Sequence, residues 1–127
     1  MAIPTDCPIL IVDDYSRMLC IIRRLLKQLG FDQVDEASDG QSALAKLRQK
    51  DYRLVISDWN MEPMSGLELL REMRSDPTLA ELPFIMVTAE TREARIAEAR
   101  AAGASGYVIK PFGAEALSSE IAAAVAH

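Results

Sequence analysis

Histidine is nearly absent: the one histidine is His127, the last residue, and cysteine occurs only at Cys7 and Cys20. No zinc-type cluster can be assembled from that stock. Cys20 falls inside an apolar helical pattern and Cys7 just ahead of an apolar run, so both are expected to pack rather than carry redox or metal chemistry. No apolar run approaches the roughly 20 residues that span a bilayer. The opening MAIPTDCPIL has no basic stretch before its apolar run, so no secretory signal is expected. These absences suit a soluble, cytoplasmic protein with reduced thiols. Positive charge is also short, with 14 Lys and Arg against 19 Asp and Glu and a net charge of −5. Duplex nucleic acid and anionic membranes reward clustered Lys and Arg, so neither is expected as a partner. A cation or a basic protein surface fits better.

What is present is a patterned chain without linker or repeat. Its 127 residues, half of them hydrophobic, suffice for one core and are too few for a second. A single domain over residues 1–127 is the expectation. Ile9 to Val12 is a continuous apolar, β-branched run that stops at Asp13 and Asp14, as a strand buried on both faces would. From Tyr15 to Leu29, apolar residues at Met18, Leu19, Ile22, Leu25, Leu26 and Leu29 follow helical spacing until Gly30. QVDEAS is a weaker, polar strand suited to a sheet edge, and a helix follows over Ser38 to Gln49. RLVIS repeats the first pattern and ends at Asp58. Ser65 and Glu68 have the spacing of a capping box before a Leu-rich helix that breaks at SDP. FIMVTA, a helix over Thr91 to Ala102 closed by Gly103, GYVIK, and a last helix over Ala114 to Ala126 complete the chain. Five alternations of strand and helix argue for an α/β, doubly wound, mostly parallel sheet.

In such sheets ligands bind beyond the carboxyl ends of the strands. Those ends carry Asp13 and Asp14, Asp58, Thr88 and Lys110. Any one aspartate after a strand is usually a turn residue or a cap, but in a parallel sheet all five side chains meet at one edge. Like charges about 4 Å apart repel by roughly 4 kcal/mol at an effective dielectric near 20, so three carboxylates call for a cation that one lysine cannot replace. Mg2+, or Mn2+ in its place, fits oxygen ligands and leaves positions for phosphate oxygens. That set suits phosphoryl transfer through an acyl phosphate. Asp58 is the best placed nucleophile, Asp13 and Asp14 the better metal ligands, and Thr88 and Lys110 remain for phosphoryl oxygens.

The runs ILIVDD, VISDWNM, GLELL, MVTAE and GYVIKPF, in this order and spacing, resemble the receiver domains of bacterial two-component signalling, and among them the single-domain chemotaxis regulators. The resemblance covers nearly the whole chain. It implies a flavodoxin-like five-stranded parallel sheet of order 2-1-3-4-5 with five helices, and no attached output domain. It implies that Asp58 accepts a phosphoryl group from a histidine kinase and that Asp13, Asp14, Asp58 and the backbone carbonyl of Asn60 hold Mg2+. Thr88 and Lys110 then contact the phosphoryl group, and the Lys110–Pro111 bond is cis. Thr88 and the aromatic Tyr107 form the switch pair, and Asn60 and Glu90 tune dephosphorylation. The chain catalyses only its own phosphorylation and dephosphorylation, and signals as a monomer by docking, with a flagellar motor switch protein as the leading target.

The chain departs from the family where NMEPMSG carries Glu62, Pro63 and Ser65, which leaves the shape of that loop open. Arg92, Arg95, Arg100 and Tyr107 are the expected partner surface. A phosphate sink or relay would use the same site, and a small-molecule aspartyl-phosphate phosphatase is the alternative from another class. A flavodoxin-type cofactor binder lacks its Ser/Thr-rich phosphate loop.

Overall fold

The computed structural model describes residues 7–125. Ten elements alternate along the chain: β1 (Ile9–Val12), α1 (Ser16–Gln28), β2 (Val34–Ala37), α2 (Gly40–Gln49), β3 (Leu54–Asp58), α3 (Gly66–Ser75), β4 (Phe84–Thr88), α4 (Glu93–Ala101), β5 (Gly106–Ile109) and α5 (Ala114–Val125). Every strand pair is parallel, in the order β2-β1-β3-β4-β5. The fold is the flavodoxin-like doubly wound sheet expected, with the polar β2 at an edge. Ala126, assigned to the last helix from the sequence, and His127 lie outside the described residues.

The apolar runs divide by parity, because successive side chains in a strand point to opposite faces. Leu10, Val12, Val55, Phe84 and Met86 face one core with Leu44, Leu69, Leu70 and Met73. Ile9, Ile11, Leu54, Ile56, Ile85 and Val87 face the other, with Leu19, Ile22, Leu26, Leu117 and Ile121. Each such side chain contributes roughly 1.5–3 kcal/mol of transfer free energy, so the strands are anchored on both sides and their ends are fixed in space.

The helices are held unequally. α1 buries Leu19, Ile22 and Leu26, whereas α4 buries only Ala99. Cys20 corrects the sequence expectation: it is exposed, while Cys7 is buried. An α-helix advances about 100° per residue, which carries Cys20 off the stripe between Leu19 and Ile22. Helix ends follow the expected signals. Gly30 and Gly103 take positive φ of 97° and 108°, and Ser65 and Glu68 form a complete capping box at the start of α3. Asp39, rather than Ser38, caps α2 by accepting the Ser42 N–H. Among the described residues no helix is long and apolar enough to cross a membrane.

Candidate functional site

The residues at the carboxyl edge stand at the end of a strand or one step past it, and the ladder hydrogen bonds set them. Asp13 N–H donates to the Ala37 carbonyl at 3.2 Å, which extends β1 along β2. The Asp13 side chain turns back to accept the Tyr15 N–H on Oδ1 at 2.9 Å. Asp58 is the last residue of β3, opposite Val87, and Thr88 is the last of β4, opposite Ile109. Lys110 follows β5, its N–H donating to the Thr88 carbonyl at 2.8 Å. Its bond to Pro111 is cis.

The parallel sheet therefore brings together side chains from distant parts of the sequence. One carboxylate oxygen from each of Asp13, Asp14 and Asp58 lies within 4.8 Å of the other two. Lys110 Nζ donates to Asp58 Oδ1 at 3.0 Å and stands 3.5 Å from Asp13 Oδ2. Asp13 and Asp58 are buried, at 1% and 6% exposure, and Asp14 opens to solvent. Burial raises the Asp13 carboxyl above its ordinary value, opposed by the Tyr15 N–H, with the charge of Asp58 adding to the rise. Burial also raises Asp58, against the hydrogen bond and charge of Lys110. One lysine thus leaves the pair undercompensated. Asp13 Oδ2 is buried and accepts no hydrogen bond, an open acceptor of the kind a hard divalent cation satisfies. The donor set fits Mg2+.

The loop after Asp58 is shaped by close backbone contact. Trp59 N–H donates to Val87 at 3.1 Å, and Gly66 N–H returns to the Trp59 carbonyl at 2.8 Å. A Cβ on Gly66 would lie 2.1 Å from the Asp58 carbonyl oxygen, so the start of α3 touches the backbone of Asp58 itself. Asn60 and Glu62 are exposed. With Asp14, Trp59, Met61 and Ser65 they line a groove of about 330 Å3 beside the carboxylates. In the stretch that departs from the family pattern, the Glu62–Pro63 bond is cis and Ser65 acts as the α3 cap.

Thr88 is buried, and its hydroxyl accepts the Glu90 N–H at 3.1 Å. Glu90 does not turn its carboxylate to the aspartates: Oε1 accepts from Arg92 N–H and Nε at 3.0 and 2.8 Å, and Oε2 from Nη2 at 2.9 Å. Those bonds depress its carboxyl to about 2. Tyr107 corrects the expected partner surface, because it is buried and its hydroxyl donates to the Glu90 carbonyl at 3.0 Å. Arg95 is also not simply a surface charge, since its guanidinium lies 5.5 Å from the centre of the Trp59 ring. Arg92, Arg95 and Arg100 are exposed as expected. Sequence reasoning missed the Arg95 contact and the role of Gly66. A glycine at the first position of a helix was the available signal for the latter, since intrinsic propensity disfavours it there.

The topology, the buried acidic cluster and the lysine joined to Asp58 define a class: α/β proteins that gather oxygen ligands and a cation at a sheet's carboxyl edge. The chain matches the response regulator receiver domain over residues 9–122. It belongs to that family. It is 49% identical to the chemotaxis protein CheY of Pseudomonas aeruginosa, over 89% of this chain and 91% of that one. It is 46% identical to CheY-3 of Vibrio cholerae, over 89% and 87%. The solved structure of Vibrio cholerae CheY4 superposes with a TM-score of 0.87 at 32% identity, covering 94% of this chain and 98% of that one. Receiver domains of this chemotaxis type are phosphorylation-based signalling domains and typically bind Mg2+.

Proposed function

We propose that Asp58 accepts a phosphoryl group from the phosphohistidine of a histidine kinase, and that the resulting acyl phosphate is the signal. The observation that carries this reading is the 3.0 Å contact of Lys110 Nζ with Asp58 Oδ1 inside a three-carboxylate cluster. A carboxylate oxygen of Asp58 bonds to phosphorus as the phosphorus–nitrogen bond of the donor breaks, the electron pair leaving on the imidazole. Asp13, Asp14, Asp58 and the Asn60 carbonyl would hold Mg2+, which would supply charge neutralisation for the phosphoryl oxygens. Lys110 offers its ammonium to the same oxygens. Thr88 can donate its hydroxyl proton to them, because its oxygen is already engaged as an acceptor.

Output follows from a shift of a two-state element rather than from turnover of a substrate. Thr88 and Tyr107 both bond to Glu90, one at its N–H and one at its carbonyl, so a pull on Thr88 reaches the tyrosine through one residue. The chain acts in the cytoplasm as a monomeric receiver and signals by docking, with a flagellar motor switch protein as the leading target. Asn60 and Glu90 tune how long the phosphoryl group survives.

Acetyl phosphate with Mg2+ should label the chain stoichiometrically, and Asp58→Asn should abolish the label. Label that persists in Asp58→Asn would overturn the assignment. Beryllofluoride-treated chain, which mimics an acyl phosphate, should retain a motor switch protein that untreated chain does not.

A further inference from the structure

α4 is the helix that the cores hold least. Of its residues only Ala99 is buried, and its N-cap residue Arg92 makes no side-chain capping bond. Polar ties stand in for packing. At the far end, Arg74 of α3 donates from Nε and Nη2 to the Gly103 carbonyl at 3.1 and 2.8 Å. At the near end, Arg95 reaches back to Trp59, the residue that follows Asp58. Arg95 is aimed by Glu98, which accepts its Nη1 at 3.3 Å and pairs with Arg71 of α3 at 3.7 Å.

The ring under Arg95 is a specific place to pull. Trp59 is buried, its own N–H is tied to Val87 and its carbonyl accepts the Gly66 N–H. Its neighbours on either side are Asp58 and Asn60. A guanidinium over a tryptophan face at this distance is an attractive cation–π contact, stronger where the ring is withdrawn from water. Arg95 therefore braces the loop whose backbone carries both the reactive carboxylate and the Asn60 carbonyl.

We propose that Arg95 is a positioning residue for the phosphoacceptor site: through Trp59 it holds the loop after Asp58 in reactive geometry and couples that loop to α4. The inference rests on the phosphoacceptor reading and adds to it a residue that touches neither phosphate nor metal.

Trp59 is the chain's only tryptophan, so all tryptophan emission comes from the ring under Arg95. Acrylamide quenching of Trp59 and the initial rate of labelling from acetyl phosphate with Mg2+ are compared in the wild-type chain, Arg95→Ala and Arg95→Lys. Arg95→Ala should raise quenching roughly twofold and slow labelling roughly three- to tenfold, the range such a contact can hold. Arg95→Lys keeps a cation over the ring and should restore most of both. Should Arg95→Ala not fold, Arg95→Gln, which keeps the stem and removes the charge, takes its place with the same expectation. Unchanged quenching, an unchanged rate, or a lysine variant as impaired as alanine overturns the inference. A wild-type chain that takes no label sinks the phosphoacceptor reading and this inference with it; a labelled wild type beside an equally fast Arg95→Ala sinks the inference alone.

Discussion

Asp35 on β2 and Asp58 on β3 are both strand carboxylates in contact with a lysine, and their surroundings drive them in opposite directions. Asp35 Oδ2 accepts the Tyr52 hydroxyl at 2.6 Å and Lys50 Nζ at 2.9 Å, and these bonds lower its carboxyl below the ordinary value. Asp58 has Lys110 at 3.0 Å, yet burial raises it, with the charge of Asp14 adding to the rise. The first cluster is complete: each charge has its partner and solvent covers the remainder. The second is incomplete, with an excess of negative charge and a buried oxygen on Asp13 that accepts nothing. A sheet edge that is only structural satisfies its polar groups; the carboxyl edge leaves room for a cation and a phosphoryl group to do so.

The comparison breaks first at Asp13. Removing that carboxylate should weaken Mg2+ binding more than roughly 100-fold, since even the outer partners of metal ligands are worth 10–100-fold. A Mg2+ titration followed by Trp59 fluorescence checks it. The same change should stabilise the metal-free chain. Burial raises the folded carboxyl of Asp13, so ionising it costs stability as pH climbs from the unfolded value of 3.8 through the folded one. Asp13→Asn avoids that cost and keeps an oxygen for the Tyr15 N–H. The gain should be full at neutral pH and fade toward pH 3.8, as read by thermal melts of the metal-free chain. A variant less stable than wild type at pH 7 without metal would contradict the picture of an overcharged edge.

Gly66 tests the frame rather than the charge. A methyl group placed 2.1 Å from the Asp58 carbonyl forces α3 or the end of β3 to move. Overpacking of this kind costs about 1–3 kcal/mol, so Gly66→Ala should lower Tm by roughly 4–10 °C in a thermal melt. It should also slow labelling, because the residue that moves is Asp58, the proposed acceptor. The Asp35 carboxylate, by contrast, is set by the Tyr52 hydroxyl and Lys50 Nζ, two side-chain donors.

Much of this was legible in the sequence for definite reasons. Ile9 to Val12, Leu54 to Ile56 and Phe84 to Val87 are unbroken, short, largely β-branched apolar runs that stop at a polar residue, the pattern of a strand covered on both faces. A parallel sheet then fixes which polar residues meet, so Asp13, Asp14, Asp58, Thr88 and Lys110 could be grouped before their distances were known. The capping box at Ser65 and Glu68 is local chemistry and was equally readable. What escaped depended on azimuth and reach. Cys20 sits one residue from a buried leucine but a quarter turn off the stripe. Tyr107 and Arg95 look like surface residues by type, and a cation–π contact between residues 59 and 95 has no sequence period to betray it.

The smallest expected effect lies at the completed cluster. Tyr52→Phe leaves the ring in the core and removes only the hydroxyl that donates to Asp35. A hydrogen bond to a charged group is worth about 1.5–3 kcal/mol, but the Asp35 side chain is 40% exposed and water takes up part of the loss. The net destabilisation should be about 1 kcal/mol, or roughly 3–5 °C in Tm. The Asp35 carboxyl is depressed in the folded chain, so its contribution is present above the unfolded value of 3.8 and lost as pH falls through the folded value. The gap between Tyr52→Phe and wild type should therefore narrow in acid, just where the advantage of Asp13→Asn also fades. At pH 7 the two variants should move in opposite directions, one below wild type and one above. If both fell below it, the cluster at Asp13 would be finished in the same sense as the one at Asp35, and the case for a cation there would rest on Asp14 and Asp58 alone.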